Sequence, residues 1–185
     1  MGCSATIQTA CWQLEVTDME LQIVDVSKKG LLDLLIQDYL GELSAYNDDI
    51  QSVDGRFQYS YLDAYWQDTA RDPYFIFSEN QLAGFLLIRQ DHDPRNGRSL
   101  MEVAELYITK DHRRRSIGGQ ALKKIWQHHS GYWRVCVLAS NKPAYCFWQS
   151  LIHAADSDYS ETTPSAATNH QFVFLFNTGD QGTSD

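Results

Sequence analysis

The chain has 185 residues, 43% of them apolar and 21% charged, and a formal charge of −9 at pH 7. That length suits one domain with a full core, and the acidic balance speaks against a general nucleic-acid binder, which needs a basic face. No run of about 18 apolar residues marks a membrane span and no apolar signal core marks secretion, so the sequence predicts a cytoplasmic protein with no membrane or nucleic-acid partner, and its charge suits a neutral or cationic acceptor such as an amine.

Residues 1–18 read as an N-terminal extension of uncertain structure. They begin MGCSAT, which fits the myristoylation pattern of Gly2 with Thr6 and offers Cys3 to a second acyl chain. So short a pattern often matches by chance, and an unmodified N-terminus is expected. MELQIVDV, residues 19–26, alternates as a strand does. Ser27 then reads as the N-cap of a helix over residues 28–46, where Leu31, Leu32, Leu35, Ile36, Tyr39, Leu40 and Leu43 recur at helical spacing. NDDIQSVDGR is a polar loop, and YSYLDAYWQDTA a short aromatic helix ended before Pro73. Tyr59, Tyr61, Asp63, Tyr65 and Trp66 there read either as a core face or as a wall that binds a cation.

PYFIFSENQLAGFLLIRQ carries a hairpin signal, two apolar strands around a polar turn, and DHDPRNGRS is a loop of turn formers. Residues 100–109 form a strand and 116–129 a helix with Ile117, Ala121, Leu122, Ile125 and Trp126 on one face. YWRVCVLAS is a buried strand, and KPAYCFWQSLIHAA a helix with Pro143 in its first turn. DSDYSETTPSAATN is a polar loop, HQFVFLFN the last strand, and residues 178–185 a flexible tail. The order is mixed α/β: hairpins first, then strand–helix–strand. Cys3, Cys11, Cys136 and Cys146 form no CxxC pair and no metal-like spacing with the six histidines, so reduced thiols and no metal are expected.

One stretch concentrates positive charge in this acidic chain: DHRRRSIGGQAL, residues 111–122. A strand, a short basic glycine turn and a helix aim several first-turn N–H groups at one point, a ready anion site. Gly118 and Gly119 let the backbone approach a ligand, and Arg113, Arg114 and Arg115 add donors suited to phosphates. A Walker loop and a GxGxxG are both absent.

The stretch resembles the acetyl-CoA loop of the GNAT superfamily of N-acetyltransferases, usually written [Q/R]xxGx[G/A]. Arg113 and Gly118 match it, and Ser116 stands where the family usually has glycine. NKPAYCFWQSLI resembles the family's NxxAxxFYxKxGF helix, with Asn141, Ala144 and Phe147 in register, and DGRFQYSYLDAYW resembles a subgroup of bacterial acetyltransferases of undefined substrate. The resemblance implies an α/β fold with a mixed, mostly antiparallel central sheet splayed in the middle and flanked by helices, over an acetyltransferase domain of residues 19–177. It implies acetyl-CoA as co-substrate and an amine of a small molecule or peptide as acceptor, attacked directly in a ternary complex. A homodimer is compatible with it.

By the same resemblance, Ile108 and the loop Arg113, Arg114, Arg115, Ser116, Ile117, Gly118 and Gly119 grip the cofactor, with Asn141 against the pantetheine arm or the adjacent loop. A main-chain amide near Tyr107 or Ile108 polarises the thioester carbonyl. Glu102 and Glu105 are the candidate bases. In a regular strand they face opposite sides, and Glu105, sharing a face with Tyr107 and opposed to Ala104, Leu106 and Ile108, is favoured; either carboxylate reads equally as a rim charge. The family's acidic tyrosine is here Trp148, whose indole cannot give up a proton at neutral pH. Tyr145, one turn earlier, is the candidate substitute, and Trp148 reads equally as core packing. That departure leaves a non-catalytic acyl-CoA-binding or regulatory module as the alternative function.

Overall fold

The computed structural model describes residues 18–179. In chain order they form β1 (Met19–Ile23), α1 (Lys29–Leu43), β2 (Ser52–Val53), β3 (Arg56–Phe57), α2 (Ala64–Gln67), β4 (Arg71–Ser78), β5 (Gln81–His92), β6 (Ser99–Ile108), α3 (Ile117–His128), β7 (Tyr132–Leu138), α4 (Lys142–Ala155), β8 (Ser160–Thr162) and β9 (Gln171–Asn177). The main sheet runs β1-β4-β5-β6-β7-β9-β8, while β2 and β3 form a two-stranded ribbon. Every neighbouring pair is antiparallel except β6 and β7.

Helices cover both faces. On one, Leu32, Leu35, Ile36 and Leu40 of α1 and Tyr65 of α2 pack with Phe75, Phe85, Leu87 and Tyr107. On the other, Ile117, Ala121, Leu122, Ile125 and Trp126 of α3 and Trp148 and Ile152 of α4 pack with Ile76, Leu86, Ile88, Trp133, Val135 and Phe174. Strand β5 is sandwiched between them, which is why residues 83–88 are buried without alternation.

The β4–β5 turn is tight because Glu79 and Asn80 both adopt positive φ (52° and 61°), the twist that suits a two-residue hairpin. The ladders slip twice. Ala83 is the extra residue opposite Ile76 and Phe77, and Ala104 the extra residue opposite Leu87 and Ile88.

Some local expectations change. The first helix opens with a 3-10 turn, Val26–Lys28, capped by Asp25, whose carboxylate accepts from Ser27 N at 2.9 Å, so Ser27 is not the cap. The aromatic helix shrinks to four residues, and the polar loops hold β2, β3 and β8. Thr178, assigned to the tail, is buried and donates its N–H to Gly131 O at 2.9 Å, so packed structure extends past residue 177. The MGCSAT reading and most of the extension, residues 1–17, lie outside the described residues, as do residues 180–185.

Candidate active site

Strands β6 and β7 pair over only three residues, Met101–Trp133, Glu102–Arg134 and Val103–Val135, and then diverge. From Ala104 onward, β6 therefore has no ladder on its β7 side, and its amides there are free to meet a ligand. A cavity of about 810 Å³ occupies the splay, bounded by Tyr39 of α1, the Tyr59–Tyr65 segment, β6, β7 and Trp148 of α4. Its volume is that of a ligand site.

The bulge at Ala104 decides which carboxylates enter this cavity. A regular strand would turn Glu102 and Glu105 to opposite faces; the extra residue resets the alternation. Both now point to the α1–α2 face, with Tyr107 and Ala104 beside them, while Val103, Leu106 and Ile108 face α3 and α4. The expectation of opposed glutamates is thus corrected, as is the placing of Ala104 opposite Glu105.

Only one of the two is free to act as a base. Glu102 Oε2 accepts from Arg89 Nη2 at 2.9 Å and Nε at 3.2 Å, and from Arg134 Nε at 3.2 Å, with Arg134 Nη2 also in contact. Asp91 joins the same cluster through Arg134. Two guanidiniums thus already occupy this carboxylate oxygen. Glu105 instead accepts from two phenols, Tyr39 Oη at 2.5 Å and Tyr59 Oη at 3.3 Å. Burial pushes its carboxyl from the ordinary 4.5 up to about 7; the two phenol hydrogen bonds pull it down, and the charge of Glu102 adds to the rise. A carboxyl poised there exchanges a proton near neutral pH. Burial and the facing Glu105 charge raise Tyr39 and Tyr59 well above the ordinary phenol value, so both remain donors.

The basic turn is built differently from its sequence reading. Arg113 is clamped: Nη2 donates to both oxygens of Glu42 at 2.9 Å, Nε donates to Ile108 O at 2.8 Å, and the guanidinium lies over the Tyr107 ring at 5.5 Å. Its side chain ties the turn to α1 and β6 and does not reach for a phosphate. Arg114 and Arg115 are exposed and face outward. Ser116 sits in the left-handed region (φ 59°), which explains why glycine suits this position, and its hydroxyl makes no cap hydrogen bond. The first helical hydrogen bond runs from Gln120 N to Ser116 O at 3.0 Å, so the amides of Ile117, Gly118 and Gly119 have no acceptor within the helix. They fit a phosphate.

The glycines, however, serve packing. A Cβ on Gly118 would meet Ile108 Cγ1 at 3.5 Å, Phe147 at 3.6 Å and Leu106 at 3.8 Å, and one on Gly119 would meet Leu151 at 3.7 Å. Both vectors point at neighbouring side chains of β6 and α4, not at the ligand side, which corrects the idea that they clear space for phosphate. Asn141 caps α4, its Oδ1 accepting from Ala144 N at 3.1 Å, and lines the cavity with Ala144 and Trp148. Trp148 is buried against Phe147, their ring centroids 5.3 Å apart. Tyr145 is turned the other way: its hydroxyl donates to Glu161 at 3.0 Å, accepts from Gln149 at 2.7 Å, and its ring lies 4.4 Å from Phe172. It does not line the cavity, so the structure does not bring it to Glu105, and an acid role for it is withdrawn.

Sequence reasoning missed Tyr39 and Tyr59 as the partners of Glu105, and Arg89 and Arg134 as those of Glu102. They lie 66, 46, 13 and 32 residues from their partners, distances that no local pattern encodes. Among the described residues, no group of three or more His, Cys, Asp or Glu could hold a metal ion, and no helix is long and apolar enough to cross a membrane.

The sequence model of the acetyltransferase (GNAT) family matches residues 31–152. Among solved structures, the fold resembles an acetyltransferase of Thermus thermophilus (TM-score 0.62, 17% identity, 86% of this chain and 96% of that one). It also resembles a GNAT-family acetyltransferase of Streptococcus agalactiae (TM-score 0.67, 13% identity, 88% and 96%). The yncA protein of Salmonella typhimurium, solved with its cofactor acetyl-CoA, is similar too (TM-score 0.60, 13% identity, 90% and 98%). Among curated proteins, none matches the sequence significantly.

Proposed function

The chain belongs to the GNAT family of acetyltransferases, which transfer acetyl groups from acetyl-CoA, and from that premise we propose that it acetylates a primary amine of a small molecule or peptide, by direct attack in a ternary complex. The observation that carries this reading is Glu105: a carboxyl raised to about 7, open to the splay cavity and aimed by Tyr39 and Tyr59.

In this mechanism the splay admits the acyl-pantetheine arm, alongside Asn141 and Ala144, and the pyrophosphate meets the free amides of Ile117, Gly118 and Gly119, with Arg114 and Arg115 as outer charges. A β6 amide near Tyr107 or Ile108, past the end of the β7 ladder, polarises the thioester carbonyl. Glu105 accepts a proton from the acceptor ammonium, directly or through one water. The amine nitrogen then forms the new bond to the acyl carbon as the carbon–sulfur bond breaks. With Tyr145 turned away and Trp148 unable to donate a proton, the thiolate departs without a side-chain acid and takes its proton from water, which a thiol with a pKa of about 8.5 permits.

Thiol release from acetyl-CoA across a panel of amines tests the reading. Turnover that rises with pH through about 7 and collapses in Glu105→Gln supports it. Tight acetyl-CoA binding with no turnover of any amine would instead leave a binding module, the reading that Trp148 favours.

A further inference from the structure

The −9 chain lines its cavity with four arginines, Arg71, Arg89, Arg95 and Arg134. Three of them form an ordered row. Arg71 pairs in register with Arg89, Arg89 with Glu102, and Glu102 with Arg134, so the four side chains cross β4, β5, β6 and β7 on the α1–α2 face. Glu102 and Asp91 answer Arg89 and Arg134. Within the row, Arg89 and Arg134 are thus answered by two carboxylates and Arg71 by neither of them.

Arg71 is the least tightly paired of the three. Among the described residues its one ion pair is from Nε to Asp68 Oδ2 at 3.3 Å, and Asp68 is half exposed. Yet Arg71 is itself only 17% exposed and stands directly across the ladder from Arg89, where like charges repel. Its guanidinium is held over the rings of Tyr65 and Tyr61, at 5.6 Å and 6.0 Å. Beside it the Tyr65 hydroxyl is buried near Tyr59 and Arg71 without a well-formed hydrogen bond to either, although Tyr65 is only 3% exposed and its ring lines the cavity. Buried donors of this kind are normally satisfied, and a ligand group placed beside Arg71 would supply the partner.

We propose that Arg71 and Tyr65, with Tyr61 and Arg89 beside them, form a subsite for a carboxylate on the acceptor, so that the substrate is a small compound of the amino-acid class carrying both an amine and a carboxylate. A carboxylate suits the planar guanidinium fork, of which Asp68 takes only Nε, and takes a further hydrogen bond from the Tyr65 hydroxyl. The same segment sets its orientation: Tyr59, next to Tyr65, hydrogen-bonds Glu105, so the amine end lies toward Glu105 and the carboxylate end toward Arg71. This assignment rests on the acetyl-transfer reading, with Glu105 as base.

The test is a matched panel of α- and ω-amino acids, their carboxamides, simple alkylamines and an aminoalkyl phosphate. Each is assayed for thiol release from acetyl-CoA, and each is also titrated calorimetrically into the protein with CoA present. The subsite requires at least one amino acid to be preferred over its own carboxamide by about tenfold or more in kcat/KM, a factor typical of one lost charged contact. Within Arg71→Gln that ratio falls to about one, and within Tyr65→Phe, which keeps the ring, it falls severalfold. Because the readout is a ratio within one variant, a partly unstable variant does not mimic the result. Turnover of carboxamides or alkylamines as good as that of the acids overturns the subsite and leaves acetyl transfer standing. Preference for the phosphate overturns the carboxylate assignment. Carboxylate-dependent binding that Arg71→Gln abolishes, without turnover of any compound, upholds the subsite and overturns the acetyl-transfer reading.

Discussion

Replacing Glu105 by glutamine should cripple turnover and, at alkaline pH, make the protein more stable. The carboxyl titrates near 7 in the folded chain against an ordinary 4.5, and that is a cost to folding whenever the group must ionise. Below pH 4.5 both folded and unfolded states hold the proton and nothing is lost. As pH rises, the unfolded chain releases its proton first, and stability falls by about 1.4 kcal/mol per pH unit until the folded carboxyl also ionises near 7. Above that the loss levels off at about 3 kcal/mol. Glutamine is the same size, still accepts from Tyr39, and has no such slope. Urea denaturation at about pH 5.5 and about pH 8.5 should therefore show the stability difference, variant minus parent, growing by about 2 kcal/mol between the two conditions. A difference that stays constant within about 0.5 kcal/mol would refute the account of a carboxyl raised by burial. In the same variant kcat should fall by about 100-fold or more, the usual contribution of a positioned base.

Glu102→Gln leaves Arg89 and Arg134 without their shared carboxylate and should lower stability by about 2 kcal/mol, less than for a fully buried pair because both guanidiniums are partly exposed; it should also move the acidic limb of the pH–rate profile to lower pH, since Glu102 is one of the charges that raise Glu105. Gly84→Ala would set a Cβ 2.0 Å from Tyr107 O, and soluble yield with thermal melts should report a loss above about 3 kcal/mol. Gly118→Ala should melt like the parent because its Cβ fits at 3.5 Å, whereas the γ-carbons of Gly118→Val must displace Ile108 or Phe147, lowering the melting temperature along with cofactor affinity. Glu42→Gln frees Arg113 from its clamp; the exposed pair contributes about 0.5 kcal/mol to stability, and calorimetry should show acetyl-CoA affinity weakened about threefold.

What the sequence made legible was local. Helix α4 announced itself through Pro143 in its first turn, and the apolar stripe of α3 follows one helical period, whereas the capping role of Asn141 emerged only in the fold. The basic turn was legible as a turn for the same reason. Its chemistry was not: Arg113 looks like a phosphate ligand until Glu42, 71 residues earlier, is folded against it. The two glutamates show the limit most clearly. Alternation is a valid rule for a regular ladder, and Ala104 breaks the ladder for reasons set by the pairing with β5. Strand β8 has only three residues and a polar sequence, and exists because β9 lies beside it. Tyr145 and Trp148 are close neighbours on one helix, yet the first faces β9 and the second the cavity, and helical phase alone could not say which face would meet the splay.

The short join between β6 and β7 has a mechanical consequence. It divides the sheet into a four-strand leaf and a three-strand leaf, and the two faces of the fold bind those leaves unequally. On the α3–α4 face, apolar packing from Ile76 and Leu86 across to Trp133 and Phe174 runs without a break from one leaf to the other. On the opposite face, the α1–α2 core stays within the four-strand leaf, and the ion pairs of Arg134 with Glu102 and Asp91 bridge the gap. The two leaves are therefore joined unequally, by continuous apolar packing on one face and by ion pairs on the other. Added salt weakens only the ionic side of this join, and only in part, because Glu102 and Arg134 are largely shielded from solvent.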